Sequence, residues 1–149
     1  LPYRPNVCML VLDQGNRLFL GERLGSPGVW QFPQGGVEEH LSLEENVYKE
    51  LEEELGAART SFRILRRLES RFRYDFPETP DYAKGRWRGQ AQTFWLCRFL
   101  GNDREIVLDR HHPEFSDFGW FTIPEVRQRA EPKRLVGYEG ALREVDGLL

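Results

Sequence analysis

Gly35-Gly36-Val37-Glu38-Glu39-His40-Leu41-Ser42-Leu43-Glu44-Glu45-Asn46-Val47-Tyr48-Lys49-Glu50-Leu51-Glu52-Glu53-Glu54-Leu55-Gly56 reads as a glycine turn followed by a helix dense in glutamate. Ser42 and Glu45 have the S-x-x-E spacing of a capping box, so the helix opens near Leu43. Gly56 is a natural stop, because glycine takes the left-handed conformation that closes a helix. Between them Val47, Tyr48, Leu51 and Leu55 share one apolar face. Glu50, Glu53 and Glu54 fall together beside that face, at i, i+3 and i+4. An acidic helix ordinarily turns its charges to water, and Glu44, Glu45 and Glu52 suit the solvent side. The other three border the apolar stripe, where close carboxylates repel one another. A hard divalent cation with oxygen ligands removes the conflict. The Gly-Gly turn ahead of the helix lets bare backbone approach a ligand.

The rest of the chain sets the context. Its 149 residues make one domain of ordinary size, 1–149, long enough to bury a real core. A hydrophobic content of 40% and a charged content of 30% fit a soluble globular protein. No apolar run approaches the roughly 20 residues that span a membrane. No signal peptide is visible, and Leu1 in place of Met implies a trimmed start. Cys8 and Cys97 lie in strand-like apolar runs without metal-site spacing, so they read as buried free thiols and the compartment as cytoplasmic. A net charge of -3 excludes a general nucleic-acid coat. Acid concentrates between Glu38 and Glu54. Basic residues gather at Arg63, Arg66, Arg67, Arg71 and Arg73, at Lys84, Arg86 and Arg88, and at Lys133 and Arg134. That distribution suits a polyanion bound at one end.

Val7 to Leu12 is read as a buried strand and Arg17 to Glu22 as its hairpin partner across the Asp13–Asn16 turn. Trp30 to Pro33 is extended. Phe62 to Tyr74 alternates as one or two strands, Asp75 to Arg88 is a long loop, and Gln90 to Leu100 is strand-like. His111 to Phe115 is a loop before a strand at Phe118–Phe121. Pro124 opens a short helix, and Leu135 to Leu149 forms a second amphipathic one. Mixed strands with helices on each side imply an α+β sandwich.

The opening stretch resembles the Nudix box, G-x5-E-x7-R-E-U-x-E-E-x-G-U with U aliphatic. Gly35, Glu50, Leu51, Glu53, Glu54 and Gly56 match in register, and Ala57 matches weakly. Leu41 stands where the box has Glu, and Lys49 where it has Arg. In the family those two side chains pair and brace the loop, so the departures look coupled and spare the carboxylates. The resemblance implies the Nudix fold, a mixed β-sheet sandwiched between α-helices. It also implies hydrolysis of a phosphoanhydride in a nucleoside diphosphate derivative.

It extends over nearly the whole chain. Tyr3-Arg4-Pro5-Asn6-Val7, Gln31-Phe32-Pro33-Gln34-Gly35-Gly36, Gly89-Gln90 with Gln92, and Pro113-Glu114-Phe115 together resemble the bacterial RNA 5′-pyrophosphohydrolase branch, grouped with the dinucleoside polyphosphate hydrolases. That branch implies a partner with a 5′-triphosphorylated RNA end or a nucleoside polyphosphate, and Mg2+ as cofactor, with Mn2+ or another divalent cation as a substitute. Carried over by position, the metal ligands are Gly35, Glu50, Glu53, Glu54 and Glu114. The catalytic candidates are Glu50, Glu53 and Glu114, with Glu50 favoured as general base and the other two as rivals. Arg4, Arg23, Gln34, Tyr74, Lys133 and Arg134 are expected at the substrate. Arginine suits phosphate through paired donors, although an ordinary surface cation is the plain alternative for each. In the family an aromatic ring just before Lys133 helps hold a base; Pro132 stands there, which leaves Tyr74, Tyr82 and Trp87 as rings to consider, with core or loop packing as the plain alternative for each. His111 and His112 suit a loop role better than a metal, since adjacent histidines do not converge easily on one ion. Three readings follow: RNA 5′-pyrophosphohydrolase, dinucleoside polyphosphate hydrolase, and a non-catalytic nucleotide or RNA sensor.

Overall fold

In the computed structural model, which describes residues 1–149, the first strand reaches back from Val7 to Tyr3. This strand, β1 (Tyr3–Leu12), is central. Every residue from Val7 to Leu12 is fully buried. A strand covered on both faces reads as a continuous apolar run. Val7, Met9 and Val11 join one core, whereas Cys8, Leu10 and Leu12 join the other.

β2 (Leu18–Arg23) returns antiparallel, pairing with β1 only at Leu12 and Leu18. β3 (Trp30–Gln31) pairs with β2. Farther along, the edge of β1 is taken by β4 (Gln34–Gly36), with Asn6 opposite Gly36 and Val7 opposite Gly35. Gly35-Gly36 is therefore strand rather than the expected turn. The reversal comes later, where the Leu41 N–H donates to the Glu38 carbonyl at 3.1 Å.

α1 (Leu43–Leu55) has the capping box read from the sequence, and Gly56 closes it at φ 77°. Val47, Leu51 and Leu55 pack on the Val7–Met9–Val11 face. β5 (Phe62–Asp75) is a single long edge strand, and β6 (Gly89–Phe99) lies between it and β1, antiparallel to the former and parallel to the latter. Register shifts interrupt β5 between Ile64 and Arg66 and between Arg67 and Arg71. At the second shift the Glu144 carboxylate accepts from the Glu69 N–H (2.7 Å), the Ser70 N–H (3.1 Å) and the Ser70 hydroxyl (3.0 Å). Arg63, Arg66, Arg67, Arg71 and Arg73 project exposed from this edge, where charge discourages strand pairing between molecules.

β7 (Phe115–Phe121) pairs with β2 and begins three residues earlier than its apolar pattern. α2 (Ile123–Arg129) opens at a Thr122–Glu125 capping box with Pro124 in its first turn. α3 (Pro132–Leu148) begins at Pro132 instead of Leu135, because proline is pre-set for a first helical turn. Lys133 and Arg134 thus belong to the helix rather than preceding it. Val126, Tyr138, Ala141, Leu142 and Val145 cover the Cys8–Leu10–Leu12 face. The result is the expected α+β sandwich, a mixed sheet of seven strands with α1 on one face and α2 and α3 on the other. Cys8 and Cys97 are buried and free, and burial pushes both thiols up, away from the reactive thiolate. No helix is long and apolar enough to cross a membrane.

Candidate active site

β4 and α1 face each other because the box glycines pair with β1 and the helix follows directly. A Cβ at Gly35 would overlap the Glu50 carboxylate, so any other residue there displaces that side chain. A Cβ at Gly36 would likewise displace the Arg4 guanidinium. Strand and helix thereby enclose a cavity of about 440 Å3 with no hydrophobic residue in its lining. Glu38, Glu50, Glu53, Glu54 and Glu114 supply carboxylates, and Arg4, Arg23, Lys49 and Arg134 supply cations. Gln31, Gln34, Gly35, Gly36 and His112 complete the wall.

The carboxylates differ sharply in environment. Glu54 is 4% exposed, and its Oε2 has no hydrogen-bond partner. Burial first, then the charges of Glu50 and Glu114, hold its carboxyl well above the usual range. Glu50 is pushed up to about 7, mainly by burial and then by Glu53, against the opposing pull of Lys49. Glu53 instead has a cation in hand, Lys49 Nζ at 2.8 Å, and the same ammonium reaches Glu38 at 3.2 Å. Glu114 is exposed at the mouth, and its backbone carbonyl anchors Leu24 N–H at 2.9 Å.

The polar wall is positioned from behind. Gln92 Nε2 donates to Gln34 Oε1 (2.6 Å) and to Asn6 Oδ1 (3.1 Å), so the branch residues Asn6 and Gln92 orient Gln34. Gln31 is 6% exposed with an unpartnered Oε1. Arg134 lies 3.4 Å from Glu131 without hydrogen-bond geometry at Nε.

Nine of the eleven sequence-derived site residues meet in this one cavity: Arg4, Arg23, Gln34, Gly35, Glu50, Glu53, Glu54, Glu114 and Arg134 line it, and Lys49, read from the sequence only as part of the loop brace, joins them. Tyr74 and Lys133 do not. Tyr74 packs against Phe72 and Phe76, at 6.0 and 6.2 Å between ring centroids. Lys133 sits exposed on the first turn of α3. Sequence reasoning missed Gln31 and Gly36 as lining residues, although both lie inside the quoted motif. It also missed Glu38, whose signal is its place at the head of the acidic run.

A hard divalent cation fits these donors. The set is all oxygen, one oxygen is buried and unpartnered, and the carboxylates exceed the cations facing them. The carboxylates ring the cavity; no three of them converge on a single point in this arrangement.

The sequence pattern of the NUDIX domain matches residues 2–144. The chain is similar to the RNA pyrophosphohydrolase of Dinoroseobacter shibae, 37% identical over 142 residues that cover 93% of this chain and 89% of that one. It is 38% identical to the RNA pyrophosphohydrolase of Caulobacter vibrioides over 152 residues, covering 97% and 87%. Among solved structures, a C. elegans Ap4A hydrolase binary complex superposes with a TM-score of 0.68 at 14% identity, covering 96% of each chain. The E. coli dihydroneopterin triphosphate pyrophosphohydrolase gives 0.65 at 14%, covering 93% of this chain and 97% of that one. At such identities these two speak for the fold alone.

Proposed function

The chain belongs to the Nudix hydrolase family, whose members generally use divalent cations, and from that premise we propose that residues 1–149 act as one domain that removes pyrophosphate from triphosphorylated RNA 5′ ends, leaving a monophosphate and opening the RNA to decay. The observation that carries this reading is the full-length similarity to relatives named RNA pyrophosphohydrolase. The cavity supports it, because arginines and carboxylates line it together, as a polyphosphate on metal requires.

Gly35, Glu50, Glu53, Glu54 and Glu114 would hold Mg2+, for which Mn2+ or another divalent cation substitutes. When bound, the cation neutralises phosphate oxygens and lowers the barrier to attack by water. The chain's own groups do the rest. Arg4, Arg23 and Arg134 engage phosphate oxygens, and Gln34 offers its amide while Gln92 holds its carbonyl. Lys133, at the head of α3, and Tyr74 are left to contacts farther along the RNA. Glu50 is the proposed general base, since a carboxyl pushed up to about 7 accepts a proton near neutral pH. Glu53 suits the role less while Lys49 occupies it, and Glu114 is the remaining rival. The buried free thiols Cys8 and Cys97 support a cytoplasmic setting.

Glu54→Gln and Glu50→Gln should each abolish pyrophosphate release from purified triphosphorylated RNA while leaving the circular dichroism spectrum unchanged. Full turnover by either variant refutes the assignment. A dinucleoside polyphosphate presents the same phosphate chain, so kcat/KM on diadenosine tetraphosphate against RNA ranks the two substrates. A sensor would bind RNA and release nothing.

A further inference from the structure

Successive side chains of an extended segment point to opposite faces, so Trp30 and Phe32 share one face and Gln31 takes the other. The first face is firmly held. Trp30 meets Phe121 edge-on at 5.9 Å between centroids, and Phe32 packs on Tyr138 at 4.5 Å. The Phe32 N–H donates to the Tyr138 hydroxyl at 3.3 Å, and the Trp30 carbonyl accepts from the Glu131 N–H at 3.0 Å. Gln31, between these two anchors, is thereby fixed in the wall of the acidic cavity. It is 6% exposed, and its Oε1 is buried without a hydrogen-bond partner. Glu54 Oε2, in the wall of the same cavity, is in the same condition. The cations around them do not relieve either oxygen. Lys49 is taken by Glu38 and Glu53, and the Arg4 guanidinium lies against Gly36. Arg23 and Arg134 line the cavity, yet neither donates to Gln31 Oε1, and Arg134 Nε is itself buried and unpartnered.

We propose that Gln31 is a positioning residue for the divalent cation: its amide oxygen accepts from a water that the cation carries beside Glu54. The proposal takes from the reading above only that a cation occupies this cavity. Native folds leave few buried polar atoms unpaired, and those that remain answer to a ligand, a water or an ion. What Oε1 lacks is a donor. An ionised phosphate only accepts, so the phosphate chain of a substrate leaves this oxygen as it is. Mg2+ gives up its waters reluctantly and keeps several when carboxylates bind it, and each of those waters has hydrogens to donate. Groups that hold a metal's outer shell in this way set its affinity although they never touch it. A glutamine that braces the fold would be bonded within it, whereas Oε1 of Gln31 has no such bond to lose.

The test compares Gln31→Leu and Gln31→Glu with wild type by calorimetric titration of Mg2+ without RNA and by urea unfolding in a chelator. Gln31→Leu removes the acceptor and should weaken Mg2+ binding about ten-fold. Its urea midpoint in chelator should stay at or above that of wild type, because an unpaired buried oxygen is replaced by an apolar group. Gln31→Glu keeps an acceptor but loses the amide donor, and should bind Mg2+ no more than about two-fold more weakly than wild type. Mg2+ affinity of Gln31→Leu within about two-fold of wild type overturns the proposal, and so does an equal loss in both variants. A lower midpoint of Gln31→Leu in chelator makes Gln31 structural and overturns it too. A rise only in the KM for triphosphorylated RNA assigns the amide to Arg134 or the phosphates instead. The function fails separately: wild type that binds Mg2+ in the expected pattern yet releases no pyrophosphate refutes the hydrolase reading and upholds the role of Gln31. Wild type that binds no divalent cation overturns both.

Discussion

Glu50→Gln, studied without metal, isolates the cost that the cavity imposes on its own carboxylates. Burial and the neighbouring Glu53 push the Glu50 carboxyl from 4.5 up to about 7 in the folded protein. In the unfolded chain it returns to about 4.3. Below that value both states are protonated, and the neutral carboxyl is tolerated in the fold. As pH rises through the folded value, the native state must give up the proton where the charge is disfavoured. The stability therefore present in acid is lost by about pH 8, and the loss amounts to about 3 kcal/mol. Glutamine is neutral throughout and nearly isosteric. The metal-free variant should exceed wild type by under about 1 kcal/mol at pH 5 and by about 3 kcal/mol at pH 8. Urea unfolding in a chelator reads both, and comparing the two proteins cancels the titrations that the Glu50 charge does not touch, leaving Glu50 together with its effect on Glu54. Adding Mg2+ at pH 8 should reverse the order, because wild type gains binding energy that the variant has lost. Parallel pH dependence of the two metal-free proteins, or a variant less stable at pH 8, would refute the reasoning.

Two further outcomes follow from the same geometry. Burial pushes the Glu144 carboxyl up, but the Glu69 and Ser70 N–H groups and the Ser70 hydroxyl outweigh it and hold it below the usual range. Its stabilisation is present above the unfolded value and lost as pH falls through the folded one, so Glu144→Gln should cost about 1–2 kcal/mol near neutrality in urea unfolding, with the gap closing in acid. Gly35→Ala places a methyl group where the Glu50 carboxylate lies, so that side chain must swing aside. Metal affinity measured by calorimetric titration should fall about ten- to hundred-fold while the urea midpoint holds.

The box helix was legible because its signals are local: a capping box, a glycine stop and an apolar face need only neighbours in sequence. β1 was legible in its buried half and invisible in the other. Tyr3 to Asn6 are polar or proline, and only pairing with β6 and β4 makes them strand. The same holds for Gly35-Gly36. A glycine pair suggests a turn, yet these two are glycine because Glu50 and Arg4 occupy the space above them. The metal-side carboxylates could be gathered from spacing along one helix. Tyr82 and Trp87 could be named as rings, but not the approach of Tyr82 to Arg4, which depends on a loop fold that leaves no periodic trace.

Leu41 and Lys49 show how a departure from a motif is absorbed. Lys49 reaches Glu38, three residues before the missing acid, as well as Glu53 one turn along the helix. Such half-exposed pairs contribute at most about 1 kcal/mol, too little to hold a loop. The stronger tie is Asn46, 1% exposed. Its Oδ1 accepts from the Glu38 N–H at 2.9 Å, while its Nδ2 donates to the carbonyls of Ser42 (2.8 Å), Glu38 (3.2 Å) and Leu41 (3.4 Å). Breaking a buried network of this kind costs about 1–3 kcal/mol for each polar group left unpaired. Asn46 therefore fixes the loop, and Lys49 is free for a second task. Its ammonium pairs with Glu53, pulls on Glu50 too weakly to offset burial, and does nothing for Glu54, so these two carboxyls stay above the usual range until a cation arrives.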